Sequence, residues 1–174
     1  MNMDPKQGAE PDEIRALLNS HHQDAMHWAL ACCHWNRDEA EDVLHTAYER
    51  VLNGKARFNG QSTFRTWLFG VIRNCANESL RRLKRWVLNP ANRTPDVSDH
   101  PDAELATRQA ARLVRQSLWQ LSARQRECLT LVFYCDMTIA QAAAVMQLPV
   151  GTARTHYARG KQKLARLLKG YADG

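Results

Sequence analysis

From Thr152 to Lys169 the chain carries Arg154, Arg159, Lys161, Lys163, Arg166 and Lys169 and no acidic residue. Cations repeated along a helix neutralise phosphates, and an arginine that bridges two acceptors can read a guanine edge. Helical spacing puts Arg154, Thr155, Ala158, Arg159 and Gln162 on one face, where threonine can meet a thymine methyl or a phosphate. Lys161, Lys163 and Arg166 suit phosphate contacts, which fix register without reading sequence. Arg124 and Arg126 stand further upstream, placed to grip the neighbouring backbone. The plain alternative is a solvated basic face on a structural helix. His156 lies between the two faces, either as a phosphate contact or simply exposed.

A second group of residues suits unpaired bases. The loop RFNGQST from Arg57 to Thr63 runs into Phe64, Arg65, Thr66 and Trp67. Amides and hydroxyls at Asn59, Gly60, Gln61, Ser62 and Thr63, beside aromatic rings and arginines, match the needs of a single strand. An extruded nucleotide must be compensated for lost stacking, and a polar pocket can do that. The alternative is that Phe64 and Trp67 fill the core; spacing predicts Trp67 mostly buried. A third group is acidic: Asp38, Glu39, Glu41 and Asp42, followed by His45 and Arg50. Acids at a helix start suit the helix dipole. They also form a charged surface fit for a protein partner.

Catalysis has no visible basis. No nucleophile stands near a base, and no glycine loop cradles phosphate, so no catalytic residue and no cofactor is expected. Cys32, Cys33 and His34 are adjacent, with His21, His22 and His27 upstream. Adjacent residues face different sides of a helix, whereas zinc sites favour spaced pairs, so no metal is expected. The five cysteines read as reduced thiols within apolar helical patterns.

These groups need elements to hold them. Apolar positions recur at helical spacing and no alternating strand pattern appears, which predicts an all-α chain. A first helical region runs from about Asp12 to Trp35, with a break near Ser20–His22. Asn36–Asp38 is expected as a turn, with Asp38 and Glu41 as a capping box opening a helix to Leu52. A long helix is expected from Phe64 to Leu88, roughly 37 Å at 1.5 Å per residue. Its apolar stripe is Phe64, Trp67, Leu68, Val71, Ile72, Cys75, Ala76, Leu80 and Leu83. Its outer face shows Arg65, Arg73, Asn74, Asn77, Arg81, Arg82 and Arg85. Residues 89–102, with three prolines and three aspartates, read as a linker. A further helix is expected over 103–121. Ser122 with Gln125, and Thr138 with Gln141, then cap two short helices, and the segment Leu148–Gly151 turns the chain into the last one.

The resulting plan is a tail at 1–13, a helical domain at 14–88, a flexible linker at 89–102 and a second small helical domain at 103–170. The second is a helix-turn-helix, whose last helix is shaped for a DNA major groove. Residues 111–174 hold ten basic and three acidic side chains, a net +7 against +6 for the whole chain, so the cationic excess sits on this half. No apolar run reaches the roughly 18–20 residues that span a bilayer. The polar N-terminus lacks the apolar core of a signal peptide. A cytoplasmic protein with no membrane insertion is the expectation.

The segment DEAEDVLHTAYERV from Asp38, with FRTWLFGVIRN from Phe64, resembles the second conserved region of bacterial RNA polymerase sigma factors. LSARQRE from Leu121 and PVGTARTH from Pro149 resemble the fourth. A chain with only these two regions is similar to the extracytoplasmic-function (ECF) group. The resemblance implies an alternative sigma factor that carries core RNA polymerase to promoters and helps to melt them. It implies that Asp42, His45, Thr46 and Arg50 dock on the clamp helices of the largest polymerase subunit, and that the other domain meets the flap of the second largest. The family usually has Gln at the His45 position and an acid at Thr46. The resemblance also implies that Asn59–Thr63 take a flipped base of the minus-ten element, with Arg65 beside them, and that Arg73, Asn74 and Asn77 lie along the duplex upstream. Arg154, Thr155, Ala158 and Arg159 would read the minus-thirty-five element. His156 stands where the family often has Arg, and Ala153 replaces a common Val. An anti-sigma factor is a further implied partner. The alternative is a helix-turn-helix regulator that does not associate with core polymerase.

Overall fold

The structure is a computed structural model that describes residues 11–87, 113–114 and 116–172. The chain divides into two compact units. All regular elements among the described residues are helical. The expected linker at 89–102 and the start of the helix expected at Ala103 lie outside the described residues.

In the N-terminal unit, α1 (Pro11–Ser20) and α2 (His22–Cys32) are separated at His21, where the sequence places a break. α3 spans Arg37–Leu52 and α4 spans Phe64–Val87. The α2–α3 turn lies two to three residues earlier than spacing suggests. His34 and Trp35 both adopt a left-handed backbone (φ 60° and 65°), a conformation uncommon for side chains of this bulk. Asn36, not Asp38, caps α3: its side chain accepts from the Glu39 N–H at 3.1 Å. The Asp38–Glu41 capping box is therefore set aside, because the first orphan amides already have an acceptor.

α2 packs on both α3 and α4, and α3 on α4. Trp28 anchors the core. Its ring is 1% exposed and stacks on Phe69 at 5.8 Å, while its Nε1–H donates to the Phe69 carbonyl at 3.0 Å. A buried indole thus keeps its donor satisfied. Val43, Leu44, Ala47 and Val51 supply α3's buried stripe. On α4 the buried set is Phe64, Leu68, Phe69, Ile72, Cys75 and Ala76. Phe69 was absent from the expected stripe. Trp67 and Val71 are half-buried, and Leu83, at 42% exposure, lies outside the core.

In the C-terminal unit, helical residues at 113–114 and 116–119 precede α5 (Ala123–Leu129). α5 passes directly into one π-helical turn, Thr130–Tyr134. α6 spans Ile139–Met146 and α7 spans Val150–Ala172. Both capping boxes form as spacing predicts, Ser122 with Gln125 and Thr138 with Gln141. Between α6 and α7 the chain reverses at Gln147, which takes a left-handed conformation (φ 55°, ψ 47°), while Leu148 N–H returns to the Ala143 carbonyl at 3.0 Å. α7 starts at Val150, so Gly151 belongs to its first turn rather than to the loop.

α7 packs on α5 and α6, and its two buried positions among the described residues are small, Ala153 and Gly160. Ala153 is fully buried, and its carbonyl accepts from the Cys128 thiol at 3.5 Å. At Gly160 a Cβ would stand 3.2 Å from both Gln125 Cβ and Leu129 Cδ1. Two small residues on one face let the backbones of α5 and α7 approach and aim the other face outward.

Candidate nucleic-acid and partner interfaces

On α7 the outward face is the one chosen by residue type. Arg154, Thr155, Ala158, Arg159, Lys161 and Gln162 are all exposed, and His156 is half-buried. The Thr155 hydroxyl donates to the Gly151 carbonyl at 3.1 Å. Two expected phosphate contacts have other partners. Lys163 Nζ donates to the Gln120 carbonyl at 2.6 Å, tying α7 to the residues before α5. The Arg126 guanidinium lies 3.9 Å over the Trp119 ring, and burial pushes its pKa down. Each side chain therefore has a partner within this unit. Arg124 is exposed and only loosely paired with Glu127, at 3.5 Å.

The loop ahead of α4 has a rigid base and an open tip. Phe58, Phe64 and Trp67 cluster with ring centroids 5.3–5.5 Å apart, and His21 stacks on Phe64 at 5.9 Å. Asn59, Gly60, Gln61 and Thr63 are exposed and Ser62 is half-buried. The Asn59 Oδ1 accepts from Gln61 N–H at 3.3 Å. Thr63 Oγ1 accepts from the Thr66 amide and donates to its hydroxyl, which fixes the start of α4. Aromatic packing therefore sets where the loop stands, while its polar groups face outward.

Two arginines expected at the DNA are drawn into the fold. Arg65 Nε donates to Asp24 Oδ2 at 2.8 Å, and its guanidinium lies 4.9 Å from the Phe69 ring centre. Arg73 is only 6% exposed. It shares a helical face with Phe69, Ile72 and Ala76, the most deeply buried side of α4. Asn74 and Asn77 are half-buried and keep part of their surface.

The acidic end of α3 borders a groove of about 330 Å³ between α3 and α4. Asp42, His45, Thr46 and Arg50 line one wall; Cys75, Glu78, Ser79 and Arg82 line the other. Arg50 closes one end with two bonds to Glu78, at 2.9 and 2.6 Å. That pairing holds the Glu78 carboxyl below the usual glutamate range. Arg50 is thus a strut of the groove rather than a free contact. His45 Nε2 lies 3.4 Å from Glu49, and the Thr46 hydroxyl donates to the Asp42 carbonyl at 2.9 Å. The α4 wall was missed in the sequence, although Cys75, Glu78, Ser79 and Arg82 follow one another at the spacing of a single helix face. Among the described residues no group of His, Cys, Asp and Glu can hold a metal ion, and no helix is long and apolar enough to cross a membrane.

Comparison with known proteins bears on both units. The family model for Sigma-70 region 2 matches residues 17–86, and that for Sigma-70, region 4 matches residues 111–164. The ECF RNA polymerase sigma factor EcfG of Rhodopseudomonas palustris (strain TIE-1) is 31% identical over 143 residues, covering 80% of this chain and 75% of the relative. The chain belongs to the ECF RNA polymerase sigma factors. SigX of Bacillus subtilis (strain 168), another ECF sigma factor, is 26% identical over 160 residues, covering 88% of this chain and 82% of its own. The fold is also similar to the sigma factor RpoE of Bartonella quintana, solved with the anti-sigma factor NepR (TM-score 0.75, 24% identity, 90% of this chain and 97% of that one). CnrH, solved with the cytosolic domain of CnrY, gives a TM-score of 0.67 at 21% identity over 93% and 91% of the two chains. The protein is therefore an alternative sigma factor, an initiation factor rather than an enzyme. The match to region 2 sets aside a helix-turn-helix regulator that works without polymerase.

Proposed function

We propose that this ECF sigma factor reads the minus-thirty-five element with α7, captures an unpaired base of the minus-ten element with the loop Asn59–Thr63, and docks on core RNA polymerase through the α3–α4 groove. The observation that carries the reading is the division of α7. Ala153 and Gly160 are buried against α5 while Arg154, Thr155, Ala158, Arg159 and Gln162 are exposed on the opposite side. A recognition helix needs one face to seat it and another to enter the groove. Lys161 and Arg124 supply phosphate contacts beside it.

At the minus-ten element the amides of Asn59 and Gln61 and the hydroxyls of Ser62 and Thr63 offer donors and acceptors to an extruded base. The energy of that capture offsets the cost of unstacking. Asn74 and Asn77 reach the adjoining duplex. In the groove, Asp42 and Arg82 present opposite charges from facing walls, with His45, Thr46 and Ser79 between them. These meet the clamp helices of the largest subunit. The exposed pair Phe133 (58%) and Tyr134 (47%), with Tyr157 stacked on Phe133 at 5.8 Å, gives the C-terminal unit an apolar patch suited to the flap of the second largest subunit. An anti-sigma protein that covers these surfaces would hold the factor inactive in the cytoplasm, as the neighbours solved with anti-sigma partners support.

Reconstitution tests the reading. The purified chain is mixed with core polymerase and a library of genomic fragments, and the start sites are sequenced. Initiation at a defined set of sites sharing two spaced elements is expected. Binding to core polymerase without site-selective initiation refutes it.

A further inference from the structure

Asparagine precedes glycine at two loop positions of the N-terminal unit, Asn53–Gly54 and Asn59–Gly60. Both asparagines are exposed, and both glycines have positive φ, 68° and 72°. What differs is the glycine amide. Gly54 N–H donates to the Val51 carbonyl at 3.2 Å, inside the hydrogen-bonded end of α3 where Asn53 N–H also donates, to Glu49. Gly60 N–H donates no hydrogen bond among the described residues. Beside it, the Asn59 side-chain oxygen accepts from Gln61 N–H at 3.3 Å. That bond closes an Asx turn across Gly60 and keeps the carboxamide beside that peptide. Apart from its chain neighbours, nothing lies within 4 Å of where a Gly60 Cβ would stand, so no packed side chain covers this glycine.

We propose that Asn59 is a site of spontaneous deamidation, selective over Asn53, that adds a negative charge to the stretch Asn59–Thr63. Gly60 N, its proton taken by solvent base, forms a bond to Asn59 Cγ. The bond from Cγ to the side-chain nitrogen breaks and ammonia leaves, closing a five-membered imide. Water then opens the imide at either carbonyl, giving aspartate or its isomer with the backbone routed through the side chain. Nothing is oxidised or reduced; the amide is exchanged for a carboxylate at the expense of one water. The functional consequence rests on the reading of Asn59–Thr63 as the strand-capturing loop. A carboxylate there repels the phosphates of the strand and removes the amide donors that an extruded base would meet. The factor would then lose promoter opening with age while its recognition helix and its groove stay intact.

The test incubates the full-length protein at 37 °C and mildly alkaline pH and follows both peptides by mass spectrometry. Asn59 is expected to convert about fivefold faster than Asn53 or more, the factor set by breaking the hydrogen bond of Gly54 first. G60A should slow conversion at Asn59, because a side chain crowds the attacking nitrogen. Equal rates at the two asparagines, or a faster Asn53, overturn the proposal. Aged protein and fresh N59D are then compared in permanganate footprinting of a promoter bubble with core polymerase. Loss of opening in both, with retained binding to core polymerase, supports the consequence. Selective conversion with unchanged footprints leaves the chemistry standing and overturns the loop's role in strand capture.

Discussion

Arg65 offers a direct contest between a DNA contact and a fold contact. Its Nε is 2.8 Å from Asp24, with side-chain exposures of 24% and 48%, and its guanidinium covers Phe69 at 4.9 Å. An ion pair this open to solvent contributes about 0.5–1 kcal/mol. The contact with the Phe69 face contributes about 0.5–1 kcal/mol more. R65A should therefore destabilise the N-terminal unit by about 1–2 kcal/mol, D24N by about half that, and the double mutant should show a coupling of about 0.5–1 kcal/mol. Urea unfolding of the full chain, followed by circular dichroism for the single and double variants, measures all three. If Arg65 instead holds a phosphate, stability is unchanged on R65A, promoter affinity falls with a shallower salt dependence, and D24N strengthens binding by freeing the arginine. That pattern would refute its assignment to the fold.

On α7, R154A and R159A should each cost about 1–3 kcal/mol of promoter binding and relax preference at one base position if they read base edges; binding to a promoter and to scrambled duplex separates reading from phosphate grip. The Arg50–Glu78 pair should make stability pH-dependent. Because the Glu78 carboxyl is held below its ordinary range by Arg50, the pair's contribution is full above the unfolded value of about 4.3 and is lost as pH falls through the lower folded value. Wild type should therefore exceed E78Q in melting temperature at neutral pH, with the gap closing under acid. G160L should destabilise the C-terminal unit by about 1–3 kcal/mol through overpacking against Gln125 and Leu129, and thermal melts should show the loss before any effect on core polymerase binding. Cys33, pushed up to about 12 by burial and by nearby Glu39, should resist a thiol reagent at neutral pH in the native protein and react once urea is added.

What the sequence discloses follows the range of the interaction. The capping boxes at Ser122 and Thr138 join residues three apart, so composition alone displays them. The long helix from Phe64 and the break at His21 come from periodicity within a few turns. The cap of α3 misleads because Asn36, Asp38 and the acids after it all have side chains able to accept from an amide, and the backbone, not residue type, decides which is used. The left-handed turn at His34 and Trp35 carries no glycine or asparagine to announce it.

The arginines divide on the same principle. A cation on a helix face reads identically whether its partner is a phosphate in solution or a carboxylate elsewhere in the fold. Arg65 meets Asp24 across 41 residues and Arg50 meets Glu78 across 28, separations that no local pattern records. Arg73 was legible in part, since Phe69, Ile72 and Ala76 share its face at helical spacing and mark it as inward. Arg154 and Arg159 remain outward because Ala153 and Gly160 occupy the opposite side and draw that side into the core. What keeps these two arginines outward is therefore not the arginine. It is the buried small residue next to each in sequence, Ala153 before Arg154 and Gly160 after Arg159, which commits the neighbouring face to packing and leaves the cation exposed.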